Sequence, residues 1–464
     1  MRITIIGHAS LLIETEDVSI ITDPVYADPF GDEVRVSCPK REVDLSKFPK
    51  VDILWLSHDH NDHFDIDTLG MLPNMVDHVL CADHPHILKA FDALGYESVQ
   101  PIQDYDQINI GDTSLIMTPS ELKAPEHGLI VKSPNGTLWN QVDSLFNMDH
   151  IQLMKQNGPY DVFFANFNPL LPTEIMTNGK TSFPAETYQE LMHVIRNIDA
   201  KMVVPWASGQ VFQGPGEWLN RYFFPLSHQR FINDLKTLGL NTGKMLYPGD
   251  VVVIEDGKME VLEAHADFVK CTNRDMSVAD FRPGSPIPAL VDDNMFGVDE
   301  TTLNGAVGDV MEKIRASLVR GETRDIDILA DWDAVMAITV HGPSSTEHWS
   351  IRFSRDGSTL VQGREPDANF FIEVTKSGLY GVENGLLLDR FARGMTRSFH
   401  TLYRVSRAGF VSPNEDSQGR NKPFEVSSPY DVLIKLWGSF QDELWLDNQI
   451  NRVLETRTIL KPGA

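Results

Sequence analysis

Three imidazoles and the carboxylate of Asp62 fall within the six residues His58-Asp59-His60-Asn61-Asp62-His63. They directly follow Asp52–Ser57 (DILWLS), an apolar run of the length of a buried strand. Ligands crowded at the end of a strand can hold metal over its carboxyl edge. His58 and His60, two residues apart, can chelate one ion. Asp62 and His63 can then reach a second. Neutral imidazole with carboxylate suits zinc, iron or manganese. If His58 and His60 face the metal, Asp59 between them faces away. Asp62 is the residue expected to act in catalysis, as a ligand that helps to orient a nucleophile.

The surrounding pattern says what must position these groups. Residues 3–7, 11–15 and 18–22 read as short strands, the first two joined by Gly7-His8-Ala9-Ser10 and the third ending at Asp23-Pro24. Residues 25–50 are loop-rich. After the histidine cluster, 65–71 reads as a helix with Asp65 and Asp67 in its first turn. Strands then follow at 79–82, 112–118, 161–166 and 200–205, with helices at 86–94 and near 184–197. Hairpins span 128–141, across Pro134-Asn135-Gly136, and 251–262, across Asp256-Gly257. Mixed meanders and strand–helix units fit a layered αββα sandwich.

A Pro/Gly-rich stretch, Arg282–Pro288 (RPGSPIP), marks a boundary. The expected organisation is a metal-binding catalytic domain at 1–265, a linker at 266–299 and an α+β accessory domain at 300–464. In the last, 300–320 and 430–456 read as helices, the latter with Leu433, Leu436, Trp437 and Phe440 on one face. Strands are expected at 332–340, 349–353 and 370–374, and 412–429 is a polar loop. Trp332, Trp349, Phe353, Phe370, Phe371 and Trp437 read better as its core than as a lipophilic pocket. No internal repeat stands out.

With 464 residues the chain exceeds one ordinary core. A hydrophobic fraction of 42% with 23% charged residues is that of a globular protein, and a net charge of −26 argues against nucleic acid and anionic membranes as partners. There is no signal-peptide pattern and no apolar run long enough for a membrane span. Cys38, Cys81 and Cys271 are few, odd in number and far apart, so no disulfide framework is expected, and a cytoplasmic location fits best.

HxHxDH after a buried strand, with Gly7-His8-Ala9-Ser10 and Thr22-Asp23-Pro24 upstream, resembles the metallo-β-lactamase fold superfamily over about residues 1–265. The upstream pieces are similar to the branch holding UlaG-like lactonases and the phospholipase D that cleaves N-acylethanolamine phospholipids. This resemblance implies further ligands. The third ligand to the first metal would be Glu121, with His127 as the fallback. Asp143, after the hairpin, would bridge the metals. Asp23 would accept the distal N–H of a ligating histidine. The family's last histidine would end the strand at 200–205, but Val203–Gly209 (VVPWASG) has none; His228 and His8 are the candidates to complete the site. Pro205–Gly209 and Tyr247–Asp250 resemble the corresponding part of CMP-N-acetylneuraminate hydroxylase, without its Rieske module, since no Cys-x-His paired with Cys-x-x-His occurs.

Two reactions follow from these expectations. A dinuclear hydrolase would act on phosphodiesters, lactones or amides with a metal-activated water. An iron-dependent oxygenase or hydroxylase, mono- or di-iron, would use coordination positions left open by the missing histidine, with electrons from a separate donor protein or from the small-molecule substrate. The glutamate in place of histidine and the missing terminal ligand favour the oxygenase. A metal-stabilised binding protein is the third reading, and the intact ligand cluster argues against it.

Overall fold

The computed structural model describes residues 1–31, 34–121, 125–169, 182–286, 288–320, 329–330, 333–387, 401–405 and 442–461. The chain folds as two compact units. The first takes in Met1–Leu171, Ser182–Pro283 and Gln449–Ala464, and the second Gly284–Asn448. The first unit thus runs past residue 265, where the sequence pattern placed the start of a linker, and the chain returns to it from Gln449.

In chain order the strands of the first unit are β1 (Arg2–Gly7), β2 (Ser10–Glu14), β3 (Ser19–Thr22), β4 (Arg35–Ser37), β5 (Lys40–Val43), β6 (Val51–Leu56), β7 (Val76–Ala82), β8 (Val99–Ile102), β9 (Gln107–Ile110), β10 (Thr113–Thr118), β11 (Gly128–Ser133), β12 (Gly136–Asn140), β13 (Tyr160–Asn166), β14 (Ala200–Trp206), β15 (Gln210–Phe212), β16 (Val251–Glu255), β17 (Lys258–Leu262) and β18 (Val269–Asn273). One sheet has eight strands in the order β17-β16-β1-β2-β3-β6-β7-β8, and another has six in the order β14-β13-β12-β11-β10-β9.

Alternation along the strands explains why the sheets stack. Leu129, Val131, Leu138, Val162 and Phe164 face the same core as Ile3, Trp55, Leu80 and Val252 of the first sheet. Their neighbours Ile130, Trp139, Phe163 and Ala165 point the other way, into a second core with Ile151, Ile195 and Phe231. Those three lie on the helices Met148–Lys155, Ala185–Asn197 and His228–Thr237. A period of two with both faces apolar requires cover on both sides, and this is the αββα sandwich expected from the pattern. On the first sheet, helix α1 (Ile66–Met71) is capped by Asp65, which accepts from the Thr68 N–H at 3.0 Å, and α2 (Pro85–Leu94) closes at Gly95 with φ +91°.

Two ribbons lie outside these sheets. β4 pairs with β15 and β5 with β18, so part of the loop-rich 25–50 region and part of the expected linker are strands. The odd spacing of prolines hid the first pair, and each partner lies more than 170 residues away in sequence.

The second unit holds a five-stranded sheet built from Val335–His341, Thr346–Ser354, Gly357–Gln362, Phe370–Thr375 and Thr401–Val405, with helix Glu300–Arg320. Its core includes Val307, Met311, Ile338, Ile351, Phe353 and Val374, with Trp349 packed against it. The expected loop at 412–429 and the apolar face of Leu433, Leu436, Trp437 and Phe440 lie outside the described residues, as does Trp332.

Candidate metal centre

β6 is parallel to β3 on one side and to β7 on the other, so the carboxyl ends of these strands share one edge of the sheet. β6 is buried over Ile53–Leu56 and releases Ser57-His58 at that edge. Asp23 leaves β3 beside it with φ +37°, its backbone N–H donating to Trp55 O at 3.0 Å. This fully buried carboxylate organises the loop. Its Oδ1 accepts the Ser57 N–H at 2.8 Å, and its Oδ2 accepts the Ser57 hydroxyl at 2.8 Å. Oδ2 also lies 3.0 Å from His63 Nδ1.

These contacts set the imidazole tautomers. A carboxylate only accepts, so His63 carries its proton on Nδ1 and its Nε2 lone pair is turned inward. Ser57 Oγ, its own proton given to Asp23, accepts from His58 Nδ1 at 2.8 Å. His58 therefore also presents the Nε2 lone pair. One buried carboxylate aims two ligating atoms, which is the arrangement expected for Asp23.

Two clusters of potential ligands result. His58, His60 and Asp143 form one, and His8, Asp62 and His63 form the other; in each, the ligand atoms lie within 4.8 Å of one another. His58 Nε2 is 2.8 Å from His60 Nδ1. Oδ2 of Asp143 lies 3.9 Å from His58 Nε2 and 3.4 Å from His63 Nε2, so one oxygen faces both clusters. Asp143 is held there by its loop: Asn166 donates to Asp143 O at 3.1 Å, and Gln141 donates to Ser144 O at 2.9 Å. His8 sits in the β1–β2 turn with φ +51°, and its Nε2 is 3.5 Å from Asp62 Oδ2.

The donor set fits a metal. His8 and His63 are buried, yet the Nε2 atoms of both make no hydrogen bond. Lone pairs buried in this way are costly unless a cation meets them. Burial, reinforced by the charges of His63 and His60, keeps the His58 pKa well below the usual histidine value; burial lowers those of His60 and His8 too. All three are thus held in the neutral form that coordinates metal. Burial also opposes a charge on His63, but Asp143 and Asp23 outweigh it and raise its pKa well above the ordinary value, so a bound cation would take the place of a proton on Nε2 beside Asp143. Asp62 stays ionised: burial works against it, and the Arg35 guanidinium at 3.3 Å with His8 holds its carboxyl well below the usual range.

The β4–β15 ribbon supplies groups that the sequence pattern did not single out. Arg35 on β4 also donates to Asn61 Oδ1 at 2.9 Å, and Gln210 on β15 donates to Asp62 Oδ2 at 2.5 Å. Both come from segments with no strand signal of their own. Glu126 was also missed. It is 3% exposed, accepts from Ser120 Oγ at 2.9 Å, and burial together with the charge of Asp143 pushes its pKa up to about 8. Only its position just before a buried strand could have marked it.

Other expected ligands are placed elsewhere. Glu121 accepts from Asn147 and lies 3.6 Å from His150 Nδ1, in neither cluster. The Asn147 and His150 that draw it away belong to the turn and helix at 147–155, which the sequence reading did not identify. His127 turns its Nδ1 to Asp104 Oδ1 at 3.0 Å. His228 begins a helix, with its ring 4.8 Å from that of Phe167, and lines a cavity of about 250 Å³. The same cavity is lined by Gln210, Ser208, Tyr247 and Arg274. Of the two candidates to complete the second cluster, His8 is the one brought to it.

Residues 2–143 match the model of the β-lactamase superfamily domain. The fold of this region is that of the metallo-β-lactamase superfamily. Within the superfamily, a protein of Mycolicibacterium smegmatis named as a Rieske 2Fe-2S iron-sulfur protein is 26% identical over 284 residues, covering 54% of this chain and 52% of the relative. The N-acyl-phosphatidylethanolamine-hydrolyzing phospholipase D 1 of Caenorhabditis elegans is 37% identical over 76 residues, 16% of this chain and 21% of that one. The structure of CmlA, a diiron β-hydroxylase from Streptomyces venezuelae, is similar with a TM-score of 0.40 at 13% identity, covering 56% of this chain and 54% of that one. The chain spans about half the length of the first curated relatives it matches.

Proposed function

We propose that this enzyme is an iron-dependent oxygenase or hydroxylase of a small-molecule substrate, supplied with electrons by a separate donor protein. The observation that carries this reading is the composition of the two clusters. Each is two histidines and one carboxylate, His58/His60/Asp143 and His8/His63/Asp62. Two-histidine, one-carboxylate sets with open positions suit ferrous iron and oxygen chemistry. The M. smegmatis relative, named as a Rieske 2Fe-2S iron-sulfur protein, supports the electron-transfer part.

Iron bound there would supply oxygen activation. The protein's own part is to position and to hold charge. Asp23 fixes the direction of the His58 and His63 lone pairs. Arg35 and Gln210 hold Asp62 as a carboxylate. Glu126 holds a proton near neutral pH beside Asp143. The cavity lined by Gln210 adjoins the Asp62 side of the centre and is of a size to admit a small organic molecule.

The second reading is a dinuclear hydrolase of phosphodiesters, lactones or amides. The likeness to the nematode phospholipase D favours it, and zinc is also held by two histidines with a carboxylate. Elemental analysis of untagged protein together with its optical spectrum separates the two. Iron at about two ions per chain with visible absorption supports the oxygenase. Zinc or manganese without absorption overturns it and turns the search to hydrolysable substrates.

A further inference from the structure

A third set of ligands lies on the far side of the histidine loop. β6 and β7 are parallel neighbours with Leu56 in register with Cys81. Three residues beyond each of these come Asp59 and His84, which the register therefore brings together. His84 Nδ1 is 3.3 Å from Asp59 Oδ2. His84 is also the N-cap of α2, and Pro85 at the first helical position carries the chain directly to His86. The His84 and His86 rings are 4.9 Å apart at 76°. One ligand atom from each of Asp59, His84 and His86 lies within 4.8 Å of the others. Asp59 is 8% exposed, and both histidines are half-buried.

We propose that Asp59, His84 and His86 form an auxiliary metal site for a divalent ion of the zinc class, separate from the centre described above. Two imidazoles and a carboxylate are the donors such an ion takes, and they arrive here from the loop that leaves β6 and from the start of α2. The site shares no ligand with the other clusters. It shares a backbone, because Asp59 stands between His58 and His60. An ion on Asp59 ties the loop that carries those two histidines to the first turn of α2.

The test uses the full chain, stripped with a chelator and titrated with zinc chloride against a chromophoric competitor. Two variants are compared with the wild type. In His84→Asn the imidazole is lost, but a good N-cap is kept, so α2 still starts normally. In His86→Ala the cap is untouched. Each variant is expected to bind about one zinc fewer per chain, or to bind it at least tenfold more weakly, with the remaining ions held as in the wild type. Unchanged stoichiometry and affinity in both variants overturn the proposal. A loss that takes the other ions with it in both, while circular dichroism stays native, also overturns it, since the ligands would then not form a site of their own.

Discussion

At the residue scale, the centre depends on a group that touches no metal. Asp23 accepts from Ser57 and His63, and through Ser57 it also fixes His58. Exchange to Asn keeps the size but adds donors where only acceptors serve. The Asp23→Asn variant is expected to bind metal about 10- to 100-fold more weakly, the usual cost of removing such an orienting partner. Competition titration measures this, and an unchanged affinity would show that the two imidazoles are aimed by packing alone. His228 makes a second case. Burial lowers its pKa to about 4, so the folded protein favours the neutral ring. The unfolded chain takes up a proton near the ordinary value of about 6.5. Stability from this group is therefore present above pH 6.5 and is lost as pH falls toward 4. Relative to His228→Gln, the wild type is expected to lose on the order of 2 kcal/mol between pH 7 and 4.5, less to the extent that solvent reaches the ring. Parallel denaturant curves at the two pH values would contradict this.

At the element scale, the second cluster is completed by a turn and guarded by a glycine. No histidine follows β14; instead Gly209 presses on the β1–β2 turn, where a Cβ would come 2.8 Å from both the N and the Cα of His8. Backbone contacts of this length have no flexible atom to yield. Gly209→Ala is expected to displace His8 and to lower metal content by about one ion per chain, read by elemental analysis, with His58, His60 and Asp143 still occupied. Full occupancy in this variant would remove His8 from the ligand set. Packing of the C-terminal helix within the same unit offers another check. A Cβ on Gly70 of α1 would lie 2.2 Å from Val453 Cγ1. Gly70→Ala should cost about 1–3 kcal/mol through overpacking, despite the better helix propensity of alanine. A higher melting temperature would contradict that contact.

At the scale of the whole molecule, three groups of candidate ligands gather near the carboxyl ends of the parallel strands β3, β6 and β7, joined by His8 from the β1–β2 turn and Asp143 from the second sheet, and metal is expected to stabilise the fold as a ligand that only the native state binds. Saturation at 100 times the dissociation constant should raise stability by about 2.7 kcal/mol. Chelation should lower the melting temperature of the wild type more than that of a His58→Ala/His60→Ala variant. Equal shifts would mean that the ions do not bind the native centre. No described helix is long and apolar enough to cross a bilayer.

Much of this was present in the sequence because it is local. HxHxDH at the end of a buried strand, the hairpin at Pro134-Asn135-Gly136 and the αββα alternation all depend on neighbours a few residues apart, where periodicity and turn chemistry act. Asp143 was singled out only through the family that the hairpin resembles, not by a local rule. What the sequence could not decide was which distant groups converge. Glu121 stands at the strand end expected of a ligand, yet Asn147 and His150 take its carboxylate. His8, Arg35, Gln210 and Glu126 reach the centre from the β1–β2 turn, the β4–β15 ribbon and the start of β11. No local rule links residue 35 to residue 210. Their pairing follows only when the two large sheets have stacked and the edges of the sandwich are fixed in space.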